Sequence, residues 1–304
     1  MLSYNYLVRN PRVFQCIIGM DYKKFQRLSW RFYKRVLKVR KQRPQQRSYG
    51  GGRKSKRFQH TNDLLIFLLF YVRVYPTFDL AQALFELDRS NLCRWIQFGL
   101  PILEETLGYK LILPVEQTKD IPNLFKKFPE MKFHLVDATE QPRSRPKYNQ
   151  DVFYSGKKKR HTRKVQIVTN EHGEVRAVST SVPGSVHDRT LFTQSGTAEK
   201  IPKDVVTGGD SGYQGIQTDL PDHSVITPFK KSKHHPLSQE QQALNQEFSR
   251  SRIIIENTIG HLKIFKALSE RYRHAVERYD DTFLSVVAIV NPRIQMRVAL
   301  ACAA

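Results

Sequence analysis

The chain has 304 residues, 40% of them hydrophobic and 11% aromatic, and carries 50 Lys and Arg against 28 Asp and Glu, for a formal charge of +22. That apolar content excludes general disorder. The excess of cations calls for an anionic partner, with nucleic acid first among the candidates.

Other classes fall on short arguments. Cys16, Cys93 and Cys302 lie far apart with no partner at metal-ligand spacing, which excludes a disulfide framework or a zinc finger and predicts a reducing, cytoplasmic setting. The longest apolar run, Leu64 to Val72, has nine residues, too few for the roughly 20 that span a bilayer, so no membrane partner is expected. The N-terminus carries no charged tip followed by an apolar stretch, so no secretory signal is expected. Neither GxxxxGK[ST] nor GxGxxG occurs, which argues against a phosphate-binding loop.

In chain order, the first feature is a one-sided charge. No acidic residue occurs from Tyr22 to Asn62, while fifteen Lys and Arg lie between Lys23 and Arg57. Phe25, Leu28, Phe32 and Val36 recur at helical spacing there, with Asp21 placed to cap the helix. Gln42 to Lys56, with Pro44 and Gly50-Gly51-Gly52, reads as a flexible basic linker. A helix from Asn62 to Val74 follows, then one capped by Thr77 through Leu84 and one capped by Ser90 through about Phe98. The last two resemble a helix-turn-helix, with Arg89, Ser90, Asn91 and Arg94 at the start of the recognition helix; plain helical packing is the alternative. Trp95 and Ile96 read as core.

After Gly108 the texture becomes α/β. Phe133 to Ala138 reads as a strand ending at Asp137. Lys164 to Thr169 and Val175 to Ser181 form a hairpin through Asn170-Glu171-His172-Gly173. Ser185 and Asp188 match a capping box for a short helix. Val205-Val206 leads to Asp210 and a Gly-rich turn, Ser224 to Thr227 is a last strand, and a long helix runs from Ser238 to about Leu268. A final helix spans Asp281 to Leu300 with a bend at Pro292. The plan is α+β and multidomain: an N-terminal segment over 1–20, a basic arm and helix-turn-helix over 21–108, and a mixed-sheet α/β domain over 109–304.

Asp137 and Asp210 both read as strand-end carboxylates, and each serves equally well as a turn Asp when judged alone. Glu256 follows Ile253-Ile254-Ile255 on a helix that reads as largely buried, where a carboxylate needs a partner or a cation. At roughly 100° per residue, Arg252, Glu256, Gly260 and Lys263 share one narrow face. The plain reading is an Arg252–Glu256 ion pair; the functional one is a bare, basic face where a polyanion backbone approaches. If the three carboxylates meet, they supply hard oxygen ligands for two Mg²⁺ ions and in-line phosphoryl displacement. His234-His235 reads as a loop.

These residues resemble the bacterial insertion-sequence transposases of the DDE type, in the insertion-sequence 5 family. The resemblance rests on Tyr75-Pro76-Thr77-Phe78, Val136-Asp137-Ala138-Thr139-Glu140, Tyr154 to His161, Pro183-Gly184-Ser185-Val186-His187-Asp188, Gly209 to Gly215, and Arg252 through Glu256 with Lys263. It implies an RNase-H-like catalytic domain in which Asp137, Asp210 and Glu256 bind two Mg²⁺ ions, with Mn²⁺ as a substitute. Arg252 and Lys263 then support the site and the DNA, the loop Lys157, Lys158, Lys159 and Arg160 touches the scissile strand, and His187 is an auxiliary candidate. Where the family often has Tyr three residues before the Arg, this chain has Ser249. The implied activity is binding of the element's terminal inverted repeats in double-stranded DNA, cleavage, and joining of the 3′-hydroxyl ends to target DNA, by a homo-oligomer in the bacterial nucleoid. Two alternatives stand beside it: a helix-turn-helix regulator with an inactive nuclease fold, and a related nuclease without strand transfer.

Overall fold

The computed structural model describes residues 2–42, 58, 60–108, 116–117, 133–195, 203–231 and 236–302. The expected basic linker and His234-His235 lie outside them. The chain divides into two compact units, one made of Met1–Ile112 with Phe265–Ala267 and Asp281–Ile289, the other of the remainder.

The first unit is helical: α1 (Tyr4–Val8), α2 (Pro11–Ile18), α3 (Tyr22–Gln42), α4 (Thr61–Val74), α5 (Phe78–Phe85) and α6 (Arg89–Gly108). Every residue of α4 from Leu64 to Val72 is buried, which is how a helix apolar all round must be placed. α3 buries Phe25, Leu28, Phe32 and Val36 as their spacing predicts, and the Asp21 carboxylate accepts the Lys24 N–H at 2.8 Å. Thr77 caps α5 by accepting from Leu80 N.

Two boundaries differ from expectation. α6 starts at Arg89, so Ser90 lies inside its first turn rather than at the cap. It also runs past Phe98 and through Pro101 to Gly108, because Ile102, Leu103 and Leu107 are buried beyond the proline and their packing outweighs the lost backbone hydrogen bond. The helix continues for the sake of its apolar face.

The second unit is built on one sheet: β1 (Glu116–Gln117), β2 (Phe133–Pro142), β3 (Tyr154–Ser155), β4 (Arg160–Asn170), β5 (Val175–Val178), β6 (Val182–Pro183), β7 (Val206–Gly209) and β8 (Val225–Ile226). Its order is β1-β5-β4-β2-β7-β8. β4 is antiparallel to β2 and β5, while β7 is parallel to both β2 and β8, so the sheet is mixed as expected. The helices of this part of the chain are α7 (Gln150–Phe153), α8 (Asp188–Gln194), α9 (Ile216–Asp219), α10 (Gln239–Lys263), α11 (Lys266–Ser269) and α12 (Tyr279–Cys302), of which the start of α11 and Asp281–Ile289 of α12 count with the first unit.

Strand alternation sends β2 side chains to two faces. Val136 enters a core with Val168, Ala177, Phe192, Tyr213 and Ile216, under α8. Leu135 faces α10. Gly208, beside it on β7, has no room for a side chain: an added Cβ would lie 2.9 Å from Leu135 Cδ2 and 3.0 Å from Phe248 Cε2. That bare position lets α10 settle on the sheet.

Four expectations are corrected here. β2 does not end at Asp137 but continues to Pro142, because β4 pairs with it along its length, through Pro142↔Thr162. The long helix stops at Lys263, and α11 is a separate turn, since Phe265 and Ala267 belong to the first unit. Ser185 and Asp188 form no capping box: the Ser185 hydroxyl donates to the Val152 carbonyl, Asp188 accepts from Lys164, and α8 has no side-chain cap. Finally, α10 is not buried around Glu256; Ile253 is 51% exposed and Glu256 is exposed as well.

His134, on β2, is fully buried with Nε2 3.2 Å from Thr207 Oγ1. Burial, aided by nearby His223, pushes its pKa down to about 3. The unfolded ring titrates near 6.5, so this neutral His favours the fold above that pH, and the contribution is lost as pH falls toward 3. We expect stability in urea to drop across that window by about 1.4 kcal/mol per pH unit from this group. In His134→Gln protein that component of the slope disappears; an unchanged slope would refute the assignment.

Candidate active site

The register of β2 and β7 sets the site. Val136 lies opposite Gly209 in a parallel pair, so the next residues, Asp137 and Asp210, stand side by side where β7 ends and its chain turns away. Asp210 starts the turn itself: its Oδ1 accepts the Gly212 N–H at 2.8 Å and caps the 3₁₀ turn Ser211–Tyr213. Asp137 Oδ1 accepts the Ala138 N–H at 2.7 Å. Burial first, then the Asp210 charge and, less, Asp188 push the Asp137 carboxyl up to about 6, against the Ala138 N–H and Arg252, which pull it down. A carboxylate crowded against another in a poorly hydrated place holds its proton more tightly, and here that carboxylate is Asp137.

Cations approach from two directions. On α10, Arg252 acts on Asp137. Lys263, whose pKa is lowered by burial and by Lys158, is held up by Asp137 and Glu140. Lys158 belongs to the exposed turn Lys157, Lys158, Lys159 and Arg160 between β3 and β4, where Lys159 takes a left-handed φ of 52°. A cleft of about 310 Å³ is lined by Asp210, Asp188, Glu140, Lys157, Lys164 and His187, among others, so His187 and Asp210 line the same cleft.

Glu256 is placed differently. Its Oε1 receives Arg252 Nη2 at 2.8 Å, with 52% of the Glu256 side chain exposed, and an added Cβ at Gly260 would meet nothing within 4 Å. The expected face of Arg252, Glu256, Gly260 and Lys263 thus exists. Glu256 is linked to the aspartates through Arg252. Among the described residues, no three His, Cys, Asp or Glu side chains are gathered closely enough to hold a metal ion.

Sequence reasoning missed the group behind the cleft. Lys164 is nearly buried, and its Nζ donates to Asp188 Oδ1 at 2.7 Å and to the Val186 carbonyl, with Glu140 Oε1 at 3.6 Å. Thr162 Oγ1 donates to the other Glu140 oxygen at 2.7 Å. A Cβ on Gly212 would lie 2.8 Å from Asp188 Oδ2 and 3.0 Å from Asp210 Oδ1, so these carboxylates flank one backbone point. Tyr213, wholly buried beneath them, has its hydroxyl pKa raised by burial and by Asp188, Asp137 and Asp210. The available signal was a Lys in a strand that is otherwise rich in buried positions.

Residues 136–291 match the family described as DDE superfamily endonuclease. The chain belongs to the DDE endonuclease superfamily. This DDE chain is also similar to a protein of Microchaete diplosiphon described as "Probable transposase for insertion sequence element IS702", at 31% identity over 236 residues, which cover 77% of this chain and 81% of that one. No solved structure matches. The matched family region holds Asp137, Asp210 and Glu256 together with the basic turn, whereas Arg89, Ser90, Asn91 and Arg94 lie in the helical unit. There Arg89 is exposed and pairs with Asp79 at 3.2 Å, Asn91 reaches Asp88 at 3.5 Å, and Arg94 is exposed. No helix among the described residues is long and apolar enough to cross a membrane.

Proposed function

We propose that this DDE chain is a DNA transposase of the insertion-sequence 5 type, with an RNase-H-like catalytic unit and a helix-turn-helix unit that reads the terminal inverted repeats. The observation that carries the reading is the Asp137–Asp210 pair at the end of β7, facing Arg252, Lys263 and Lys158. A phosphodiester is recognised by such cations, and its cleavage needs carboxylates where they can hold divalent metal.

The pair fits Mg²⁺ or Mn²⁺ on its own chemistry, since both residues offer hard oxygens and burial, with Asp210 beside it, makes Asp137 costly to ionise without a cation. Two such ions, when bound, lower the pKa of the attacking water or 3′-hydroxyl and stabilise the leaving oxygen. Asp137 and Asp210 hold them. Glu256, paired with Arg252, would be the third residue to hold them, and Arg252 would then be free to pair with a DNA phosphate. Lys157 to Arg160 and Lys263 keep the strand against the carboxylates. Arg89, Ser90, Asn91 and Arg94 contact the end sequence, and two copies of the chain pair the two ends.

A second reading draws on the Arg252–Glu256 ion pair: a regulator that binds DNA and leaves Glu256 locked. Duplex DNA bearing the element's end, incubated with and without Mg²⁺, decides between them. Metal-dependent cleavage that is lost in Glu256→Gln protein supports the transposase. Specific binding with no cleavage by either protein supports the regulator.

A further inference from the structure

Helix α3 carries a second pattern that its core face does not explain. Opposite Phe25, Leu28, Phe32 and Val36, its solvent side exposes Trp30 at 60%, Tyr33 at 48% and Leu37 at 37%. Lys23, Arg27, Lys34 and Lys38 are exposed on the same helix, and no acid occurs within it. Lys34 Nζ sits 3.5 Å from the centroid of the Trp30 ring. Between α3 and α6 lies an open groove of about 430 Å³, lined by Trp30, Arg31, Lys34 and Lys38 among others. Its acid, Glu105, is already paired with Arg35, and one buried guanidinium nitrogen of Arg31 has no hydrogen-bond partner among the described residues.

Exposed aromatics on such a surface need a partner that offers flat apolar faces and negative charge together. A duplex meets only half of that requirement, because its bases are stacked on one another and only phosphates and groove edges reach the surface. An unpaired strand meets all of it: every base has a free π-face, and every nucleotide adds a phosphate. Trp30 and Tyr33, three residues apart, are neighbours on one side of the helix and so offer consecutive platforms. An apolar protein surface would suit the rings but not the row of cations.

We propose that the outer face of α3 is a binding surface for single-stranded DNA, with bases stacked on Trp30 and Tyr33 and phosphates paired with Lys34, Lys38 and Arg31. The proposal rests on the DNA-processing reading above, in which cleavage at an element end exposes unpaired nucleotides. It adds a strand-holding site in the helical unit, apart from the carboxylates and from the start of α6.

The test uses the full chain and an oligothymidine of roughly sixteen nucleotides, titrated by tryptophan fluorescence and by anisotropy of a labelled strand. We expect quenching of the exposed Trp30. Trp30→Ala should weaken binding about tenfold, one stacking contact's worth, while Trp30→Phe retains most of the affinity. Lys34→Gln with Lys38→Gln should flatten the dependence on salt by about one and a half units of slope. Cleavage of end duplex, which depends on the other unit, is measured in parallel: wild-type binding of oligothymidine without cleavage sinks the transposase reading and leaves the strand site standing. Equal affinity of wild-type and Trp30→Ala protein overturns the strand site whatever the cleavage result. So does quenching by vesicles of anionic lipid with none by oligothymidine.

Discussion

Asp210→Asn protein should fold, bind end DNA with its normal affinity, and cleave it at least about a thousandfold more slowly, the scale set by losing charge stabilisation at a reacting phosphoryl group. The substitution keeps the local structure intact for a specific reason: the amide oxygen of Asn still accepts the Gly212 N–H that holds the turn. What it removes is one of two negative charges. The Asp137 carboxyl, raised to about 6 in part by Asp210, should then titrate lower, because its like-charged neighbour is gone. Cleavage assays over time, together with a binding isotherm, check the first part. Cleavage within tenfold of wild type would remove Asp210 from the proposed machinery, and a loss of affinity matching the loss of rate would make it a binding residue.

The largest effect on stability is expected at Lys164. Lys164→Met removes a cation that sits against Asp188 and Glu140 in a place with almost no solvent, with side chains 7%, 17% and 8% exposed in the two pairs. Breaking such a pair from one side leaves an uncompensated charge and costs about 3 to 5 kcal/mol. Adding Asp188→Asn to the same protein should restore part of that loss, since the amide needs no counter-ion. Urea unfolding of the two variants tests this, and a single variant as stable as wild type would mean that the pair is hydrated and of little consequence.

Both results bear on how the site is kept. Carboxylates repel one another, so a fold that gathers Asp137, Asp188 and Asp210 must supply positive charge or lose stability. Lys164 supplies it from below and neutralises Asp188; Arg252 and Lys263 supply it from α10. The unit therefore holds a negative pair within a positive rim, which suits a phosphodiester and the cations that accompany it.

Much of the local structure was legible in the sequence because it rests on short-range physics. The all-round apolar character of Leu64 to Val72 leaves α4 nowhere to go but the centre of a bundle. The spacing of Phe25, Leu28, Phe32 and Val36 gives α3 its buried face, and Asn170 to Gly173, with Gly173 at a φ of 82°, gives the hairpin between β4 and β5. The strands β2, β4, β5, β7 and β8 followed from the same patterns, whereas the two-residue strands β1, β3 and β6 carried no such signal. Helix ends followed less well: the helix starts at Arg89, one residue before the expected cap Ser90, and the packing of Ile102, Leu103 and Leu107 overrode the stop signal of Pro101.

The site was legible as a set of residue types and motifs, and its arrangement was not. Asp137 and Asp210 are 73 positions apart, and only the register Val136↔Gly209 brings them abreast. Asp188 reads in sequence as a helix cap and in the fold as the partner of a buried lysine, since a capping box and a long-range ion pair use the same carboxylate and only the tertiary contact with Lys164 chooses. The three isoleucines before Glu256 suggested burial, yet α10 buries Phe248, Ile255, Thr258 and Leu262 and turns Ile253 and Glu256 to solvent. Sequence fixes what a residue can do through its chemistry and its immediate neighbours; which partners it meets depends on strand register and helix rotation, which are set by the whole core.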